Sequence, residues 1–180
     1  MNIPNLLSLL RIILVPVIII FLIQDSYAKA LIAFTAAGLT DALDGTLARL
    51  MNQQTELGAF LDPLADKILL STSFIALSIF GLIPGWLTVI VISRDFIILL
   101  GIIILSMMSV KYEIKPLFVS KITTALQIGT VFLTMFLKSF NYDIVSHDLI
   151  IILSWLTAFF TIISGLFYIF KGIQFINRTA

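Results

Sequence analysis

Long apolar runs, separated by short polar or turn-forming pieces, recur along the whole chain. A helix needs about 20 mostly apolar residues to cross a bilayer core. The pattern predicts six such helices, at approximately 5–24, 28–50, 57–81, 84–109, 117–140 and 148–174. The connecting pieces are too short to hold a second domain. We therefore expect an all-α integral membrane protein with six transmembrane helices in one bundle, forming a single domain over residues 1–180.

The composition agrees with a membrane protein. Hydrophobic residues make up 60% of the chain and charged residues 12%, against about one quarter charged in a soluble domain. The segment 5–23 lacks the basic flank and small-residue cleavage site of a signal peptide, so we expect it in the mature protein. The chain has no cysteine, which excludes disulfides and thiolate metal sites. We expect membrane lipids around it and no nucleic-acid partner.

The basic residues are distributed unequally between the two ends of the predicted helices. An even number of spans puts both termini on one side of the membrane, and Lys and Arg concentrate on the cytoplasmic side. The end shared by the termini carries eight basic residues: Arg11, Arg49, Lys67, Lys111, Lys115, Lys121, Lys171 and Arg178. The other end carries Lys29 and Lys138. We therefore expect both termini in the cytoplasm.

Four aspartates lie within 26 residues of this apolar chain. Asp41 and Asp44 share one face of the second helix near its cytoplasmic end, and Asp62 and Asp66 share one face of the third near its start. The connection between these helices is short, which predicts antiparallel neighbours. Carboxylates inside a membrane segment are costly without a partner, a polar cavity or a metal. The four carboxylates are therefore expected to converge on a functional site.

A converging group of carboxylates favours a hard divalent metal. Four acids repel one another unless a cation compensates them. An all-oxygen site suits Mg²⁺ or Mn²⁺, and the absence of cysteine and the single histidine argue against zinc. Small residues leave space at this site: Gly45 and Ala48 follow Asp44 by one and four positions, and Gly58 lies one turn before Asp62. Arg49 is placed to pair with phosphate oxygens or with a surplus carboxylate.

Helix packing and ion transport would each account for some of the same features. Polar pairs join helices in membranes, and small residues allow helices to pack closely. An ion-coupled transporter also needs intramembrane acids, but it usually carries them at the midplane beside broken helices, within an inverted repeat. The sequence shows neither a broken helix nor an internal repeat.

The two aspartate pairs form one continuous motif, DALDGTLAR from Asp41 to Arg49, followed after eight residues by GAFLDPLAD from Gly58 to Asp66. This motif resembles the signature of the CDP-alcohol phosphatidyltransferases at every fixed position. The resemblance implies a homodimeric six-helix fold whose active site opens toward the cytoplasmic leaflet. It further implies a reaction in which the phosphatidyl group of CDP-diacylglycerol moves to an alcohol and CMP is released.

The resemblance also implies roles for the motif residues. Asp41, Asp44 and Asp62, with Asp66 contributing, would hold one or two Mg²⁺ or Mn²⁺ ions on the pyrophosphate of CDP-diacylglycerol. Gly45, Ala48 and Gly58 would admit the nucleotide, and Arg49 would contact it or its phosphates. Asp66 is the expected general base, since one carboxylate in a crowded acidic group can keep a raised proton affinity.

Two basic residues are candidates for binding the acceptor alcohol. Arg94 lies well inside the fourth apolar run, and Lys121 lies near the start of the fifth. Together they could form a second anion pocket for a phosphate of the acceptor. Alternatively, Arg94 pairs with Asp95 or with a motif acid, and Lys121 reaches the lipid headgroups.

The branch of the family is indicated by further resemblances. Residues 2–11 and 60–67 look like the glycerol-acceptor branch, which contains phosphatidylglycerophosphate synthases and eukaryotic-type cardiolipin synthases. Residues 93–95 and 115–121 look closer to cardiolipin synthases. Phosphatidylglycerophosphate synthases usually carry Arg-Glu where this chain has Arg94-Asp95, and a further Arg where this chain has 96–101. Phosphatidylglycerol is therefore the favoured acceptor and glycerol-3-phosphate the alternative. The phospholipase D mechanism is excluded because His147 is the only histidine.

Overall fold

The structure is a computed structural model. It describes the backbone of residues 3–50, 56–107, 118–140 and 143–179, and within these ranges the side chains of residues 7–41, 63–101, 103, 118–140 and 147–174. The described residues form six helices and contain no strand. These are α1 (Ile3–Ile23), α2 (Tyr27–Leu50), α3 (Glu56–Ile79), α4 (Gly85–Met107), α5 (Phe118–Ser139) and α6 (Asp143–Thr179). The predicted all-α class and order of six helices are confirmed, although α6 begins five residues earlier than expected.

Two tight reversals explain how consecutive helices pack back on each other. At the end of α1, the amide of Ser26 donates to the carbonyl of Phe21, with Asp25 at a φ of 52°. At the end of α3, Leu82 donates to Leu77 in the same way, and the left-handed position, with a φ of 68°, is Gly81. Both are Schellman motifs, which satisfy the last carbonyls of a helix and turn the chain sharply. The short connections of the sequence thus produce hairpins of helices.

The helices pack as a single bundle around an apolar core. Helix α1 packs against α2 and α3, α6 packs against α4 and α5, and α2 and α3 both contact α5. Fully buried side chains of Ile18, Leu22, Phe74, Leu77 and Met135 fill the centre. Their contacts join α1, α3 and α5 with dispersion forces rather than with charge.

The polarity of the described surface is inverted relative to a water-soluble protein. Large apolar side chains point outward, including Ile32 at 68% exposure, Phe118 at 77% and Phe170 at 71%. Hydroxyl, amide and guanidinium groups lie inside: Ser8, Arg11, Ser73, Thr88, Arg94, Thr123, Gln127, Thr130, Thr134, Ser154, Thr157, Thr161 and Ser164 are all buried. Among the residues described, α5 and the part of α6 from His147 to Gln174 are long and apolar enough to cross a membrane. An apolar exterior, with polar side chains buried among the helices, suits a lipid environment.

A row of buried hydroxyl and amide groups joins α5 to α6. The hydroxyl oxygens of Thr130 and Thr157 are 2.8 Å apart, and Thr123 donates to the carbonyl of Phe160 at 3.0 Å. The side-chain amide of Gln127 donates to the Thr161 hydroxyl at 3.4 Å. Hydrogen bonds of this kind stabilise helix pairs in membranes by about 0.6 kcal/mol on average. The row therefore fixes the rotation of α6 against α5.

An aromatic contact holds α4 against α6 near the start of α4. The ring centroids of Trp86 and Trp155 are 4.8 Å apart, with 39° between the ring planes. These are the two tryptophans of the chain. Trp86 lies eight residues before Arg94, or about 12 Å along the helix axis. The aromatic contact and the buried charge of α4 therefore occupy different levels of the bundle.

The Thr130–Thr157 contact can be tested by a double-mutant cycle. We expect Thr130→Val and Thr157→Val each to lower the free energy of unfolding by about 0.5–1 kcal/mol, and the double variant to lose less than the sum, because both remove one shared hydrogen bond. Unfolding in mixed micelles titrated with SDS measures these values. Thr35→Val is the control, since its hydroxyl donates to Leu31 within the same helix. Strict additivity of the two α5 and α6 changes would contradict the contact.

Candidate active site

A buried arginine on α1 joins two carboxylates that belong to two other helices. The Arg11 side chain has 0% exposure. Its Nη2 lies 3.0 Å from Oδ1 of Asp41 on α2, and its Nη1 donates to Oδ1 of Asp66 on α3. The two carboxylates are each a little under half exposed. A guanidinium group presents several donors in a fixed plane, so it can hold two acids at once.

The three groups meet because they lie at the same depth in their helices. Arg11 is eight residues from the start of α1, Asp41 nine from the end of α2, and Asp66 ten from the start of α3. With a rise of 1.5 Å per residue, all three lie about 12–15 Å from the same end of the bundle. The hairpin between α1 and α2 makes them antiparallel, which brings this level of α2 beside the matching level of α1.

The structure corrects one sequence-based expectation at this site. The sequence pattern counts Arg11 among the basic residues of the cytoplasmic end, whereas its side chain is fully buried. Within the described ranges, α2 and α3 both pack extensively against α1. A residue from a third helix therefore brings Asp41 and Asp66 together. Direct contact between the two aspartate helices stays a prediction.

The remaining motif residues lie on the same two helices. Asp44, Gly45, Ala48 and Arg49 belong to α2, and Gly58 and Asp62 belong to α3. Their side chains lie outside the described residues. The helical backbone keeps Asp44 one turn from Asp41 and Asp62 one turn from Asp66. Their expected roles in metal and nucleotide binding stay predictions.

The donor chemistry at Asp41 and Asp66 fits a hard cation. Two carboxylate oxygens from different helices already surround one positively charged group, the Arg11 guanidinium. In the described part of the chain, no cluster of three or more His, Cys, Asp or Glu side chains is assembled. His147 lies elsewhere, exposed on α6 and 3.7 Å from Asp148. Carboxylate oxygens without nitrogen or sulfur ligands are the donors that Mg²⁺ and Mn²⁺ prefer.

A second buried charge network surrounds Arg94. The guanidinium donates to Asp95 Oδ1 at 2.7 Å, to the Ser120 hydroxyl at 2.7 Å and to the Ser164 hydroxyl at 3.0 Å. Asp95 Oδ1 also lies 3.9 Å from Nζ of Lys67. Arg94 itself is 8% exposed. The network thus connects α3, α4, α5 and α6 at one level.

The two acceptor candidates have different environments. The pairing of Arg94 with Asp95, the alternative drawn from the sequence, is confirmed. Lys121 is exposed and follows Ser120, which accepts a hydrogen bond from Arg94. Sequence reasoning identified Arg94 and Asp95 as neighbours but missed Ser164, which is 70 residues away along the chain. An acceptor-binding role for Arg94 and Lys121 stays a prediction.

Comparison with known proteins identifies the family. The sequence profile of the CDP-alcohol phosphatidyltransferases matches residues 1–163, and the chain belongs to this family. It is 37% identical over 188 residues to human "Cardiolipin synthase (CMP-forming)". The alignment covers 95% of this chain and 62% of the human protein. The chain is 32% identical over 186 residues to "CDP-diacylglycerol--glycerol-3-phosphate 3-phosphatidyltransferase" of Bacillus subtilis (strain 168), in an alignment that covers 95% of each chain. The chain thus spans about three fifths of the human relative's length.

The Arg94–Asp95 pair gives a stability prediction. After Arg94→Met, the largely buried Asp95 carboxylate keeps only the more distant Lys67 as a cationic partner. We expect this substitution to lower the free energy of unfolding by about 2–4 kcal/mol. The double variant Arg94→Met, Asp95→Leu removes both charges and should recover at least half of that loss. Thermal unfolding in detergent measures both. Lys171→Met is the control, since it removes one positive charge from an exposed position on α6. A double variant as unstable as the single one would contradict the importance of the ion pair.

Proposed function

We propose that this protein is an integral membrane enzyme that transfers the phosphatidyl group of CDP-diacylglycerol to a hydroxyl of a glycerol-containing acceptor and releases CMP. The supporting observation is the meeting of Asp41 and Asp66, both in the family motif, at the buried Arg11 guanidinium. Two carboxylates at one point provide what a phosphoryl-type transfer needs: anionic ligands for a cation and a group that accepts a proton.

The membrane arrangement of the proposal has six transmembrane helices, both termini in the cytoplasm and the active site toward the cytoplasmic leaflet. The apolar exterior of the described helices and the polar side chains buried between them support the lipid environment. The orientation is supported by the distribution of basic residues. After the buried Arg11 is removed from the tally, seven remain at one end and two at the other.

We propose that Asp41, Asp44, Asp62 and Asp66 hold Mg²⁺ or Mn²⁺. When bound, such an ion neutralises charge on the pyrophosphate and on the departing CMP. The hard oxygen donors of Asp41 and Asp66, which two different helices bring to one point, support this choice. On the donor side, Gly45, Ala48 and Gly58 leave room for the nucleotide, and Arg49 pairs with its phosphates.

In the proposed reaction, Asp66 accepts the proton of the acceptor hydroxyl. The hydroxyl oxygen forms a bond to the phosphorus that carries the diacylglycerol, and the bond from that phosphorus to the oxygen of CMP breaks. The proton moves to the Asp66 carboxylate, and CMP leaves with the electron pair of the broken bond. The partial exposure of Asp66 supports this role, since an acceptor has to reach its carboxylate.

Phosphatidylglycerol is the proposed acceptor, which would make the protein a cardiolipin synthase. Arg94 is already compensated by Asp95 and bonded to two serine hydroxyls. This environment favours the single charge of a phosphodiester over the near-dianion of a free phosphate monoester. Glycerol-3-phosphate stays the alternative, and the Bacillus relative with that name supports it. Lys121, exposed next to Ser120, is the proposed second cation of the acceptor pocket.

The acceptor is identified by an assay on purified protein in nanodiscs. CDP-diacylglycerol and Mn²⁺ are supplied with phosphatidylglycerol, glycerol-3-phosphate, inositol phosphate or serine in separate reactions, while CMP and lipid product are followed. We expect CMP release with phosphatidylglycerol and cardiolipin as the product. Turnover with glycerol-3-phosphate and not with phosphatidylglycerol would show that glycerol-3-phosphate is the acceptor. No turnover with any of them would overturn the enzymatic proposal, and an ion-coupled transporter would then be the alternative.

The general base is tested by Asp66→Asn. We expect turnover to fall by at least about 10²-fold, since general acid–base catalysis contributes roughly 10²–10⁴-fold to the rate. Binding of CDP, measured by thermal stabilisation in the presence of Mn²⁺, should persist because Asp41, Asp44 and Asp62 still provide carboxylate ligands for the ion. Residual activity above a tenth of the wild type would sink the assignment.

The homodimer implied by the family resemblance is a separate proposal. Mass photometry of the protein in nanodiscs tests it.

A further inference from the structure

Arg11 is the only charged residue in the sequence of α1. An arginine inside an apolar helix is unfavourable by several kcal/mol unless the bundle provides counter-charges. Its ion pairs to Asp41 and Asp66 are with acids of the proposed active site. The position of this charge is therefore explained by the two carboxylates and not by the packing of α1.

Apolar packing also contributes to holding α1 in the bundle. Val15, Ile18 and Leu22 of α1 are buried in the apolar core beyond Arg11. An apolar side chain at position 11 would attach α1 to its neighbours without the desolvation cost of a buried charge. The Arg11 nitrogens instead contact one carboxylate of α2 and one of α3. The electrostatic effect on those two acids distinguishes Arg11 from a packing residue.

We propose that Arg11 is a positioning residue and built-in competitor for the divalent cation: its guanidinium holds Asp41 and Asp66 at a fixed spacing and weakens the metal affinity of the site. This inference rests on the proposed function. A positive charge within hydrogen-bond distance of both carboxylates lowers their attraction for another cation. The same contacts keep two like-charged groups of different helices together in the geometry that turnover needs. Loss of Arg11 should therefore move metal affinity and turnover in opposite directions.

The experiment compares the wild type with Arg11→Gln in the full chain, purified into nanodiscs of neutral lipid. Binding of Mn²⁺ without substrates is followed by the electron paramagnetic resonance signal of the free ion. CMP release from CDP-diacylglycerol is followed separately at saturating Mn²⁺. Lys29→Gln is the matched control, since it removes one positive charge about 18 Å along α2 from Asp41.

We expect Arg11→Gln to bind Mn²⁺ at least about tenfold more tightly than the wild type, because a nearby charge no longer opposes the ion. Its turnover number should fall by at least about tenfold, because the two carboxylates lose their common partner. Lys29→Gln should change neither quantity. A merely structural role would weaken Mn²⁺ binding and turnover together. Equal or weaker Mn²⁺ binding by Arg11→Gln than by Lys29→Gln would overturn the proposal.

A second variant keeps the test decisive if Arg11→Gln does not fold. Arg11→Lys keeps the charge but replaces the planar fork by one ammonium group. We expect Mn²⁺ affinity within about threefold of the wild type and a lower turnover number, because the spacing of the acids is less well fixed. An unchanged turnover number, or an affinity outside that range, would overturn the positioning role.

The two proposals fail in different ways. A wild type that neither binds Mn²⁺ nor releases CMP would overturn the proposed function and the Arg11 inference with it. A wild type that does both, with an Arg11→Gln variant whose metal affinity does not rise, would overturn the Arg11 inference alone.

Discussion

A buried positive charge needs negative partners, and the pairing of Arg11 with Asp41 and Asp66 is the constraint on which the arrangement of the first three helices depends. The charge cannot be moved away from the acids without leaving a guanidinium in an apolar surrounding. The acids cannot be separated without losing their shared partner. Helices α1, α2 and α3 are therefore fixed at one common level, and the family motif is held in place by a residue outside it.

Helix α3 connects this site to the second charge network. Asp66 faces Arg11, and the next residue, Lys67, lies 3.9 Å from Asp95 in the network of Arg94. Consecutive residues of a helix point about 100° apart, so they can serve two neighbours at once. The donor and acceptor sides of the proposed reaction thus share one helix. A displacement of α3 would affect both sides together, which gives the bundle a physical route for coupling them.

The sequence predicts the helices and the meeting of Asp41 and Asp66 because both leave local signals. Apolar runs have the length of a membrane span, and the spacings between Asp41 and Asp44 and between Asp62 and Asp66 define helix faces. The burial of Arg11 leaves no such signal, since a basic residue near a helix end is typical of the cytoplasmic surface. Its partners lie 30 and 55 residues away. Ser164 is similarly distant from Arg94, so only the packed bundle reveals either contact.

The Trp86–Trp155 contact gives this protein a spectroscopic property of its own. Both indole groups of the chain meet between α4 and α6, at the level of the bundle where α4 begins. All tryptophan fluorescence of the protein therefore originates from one helix contact. Two indoles 4.8 Å apart also interact electronically, so their near-ultraviolet circular dichroism depends on the angle between α4 and α6. Unmodified protein thus carries its own optical reporter for the helix that holds Arg94.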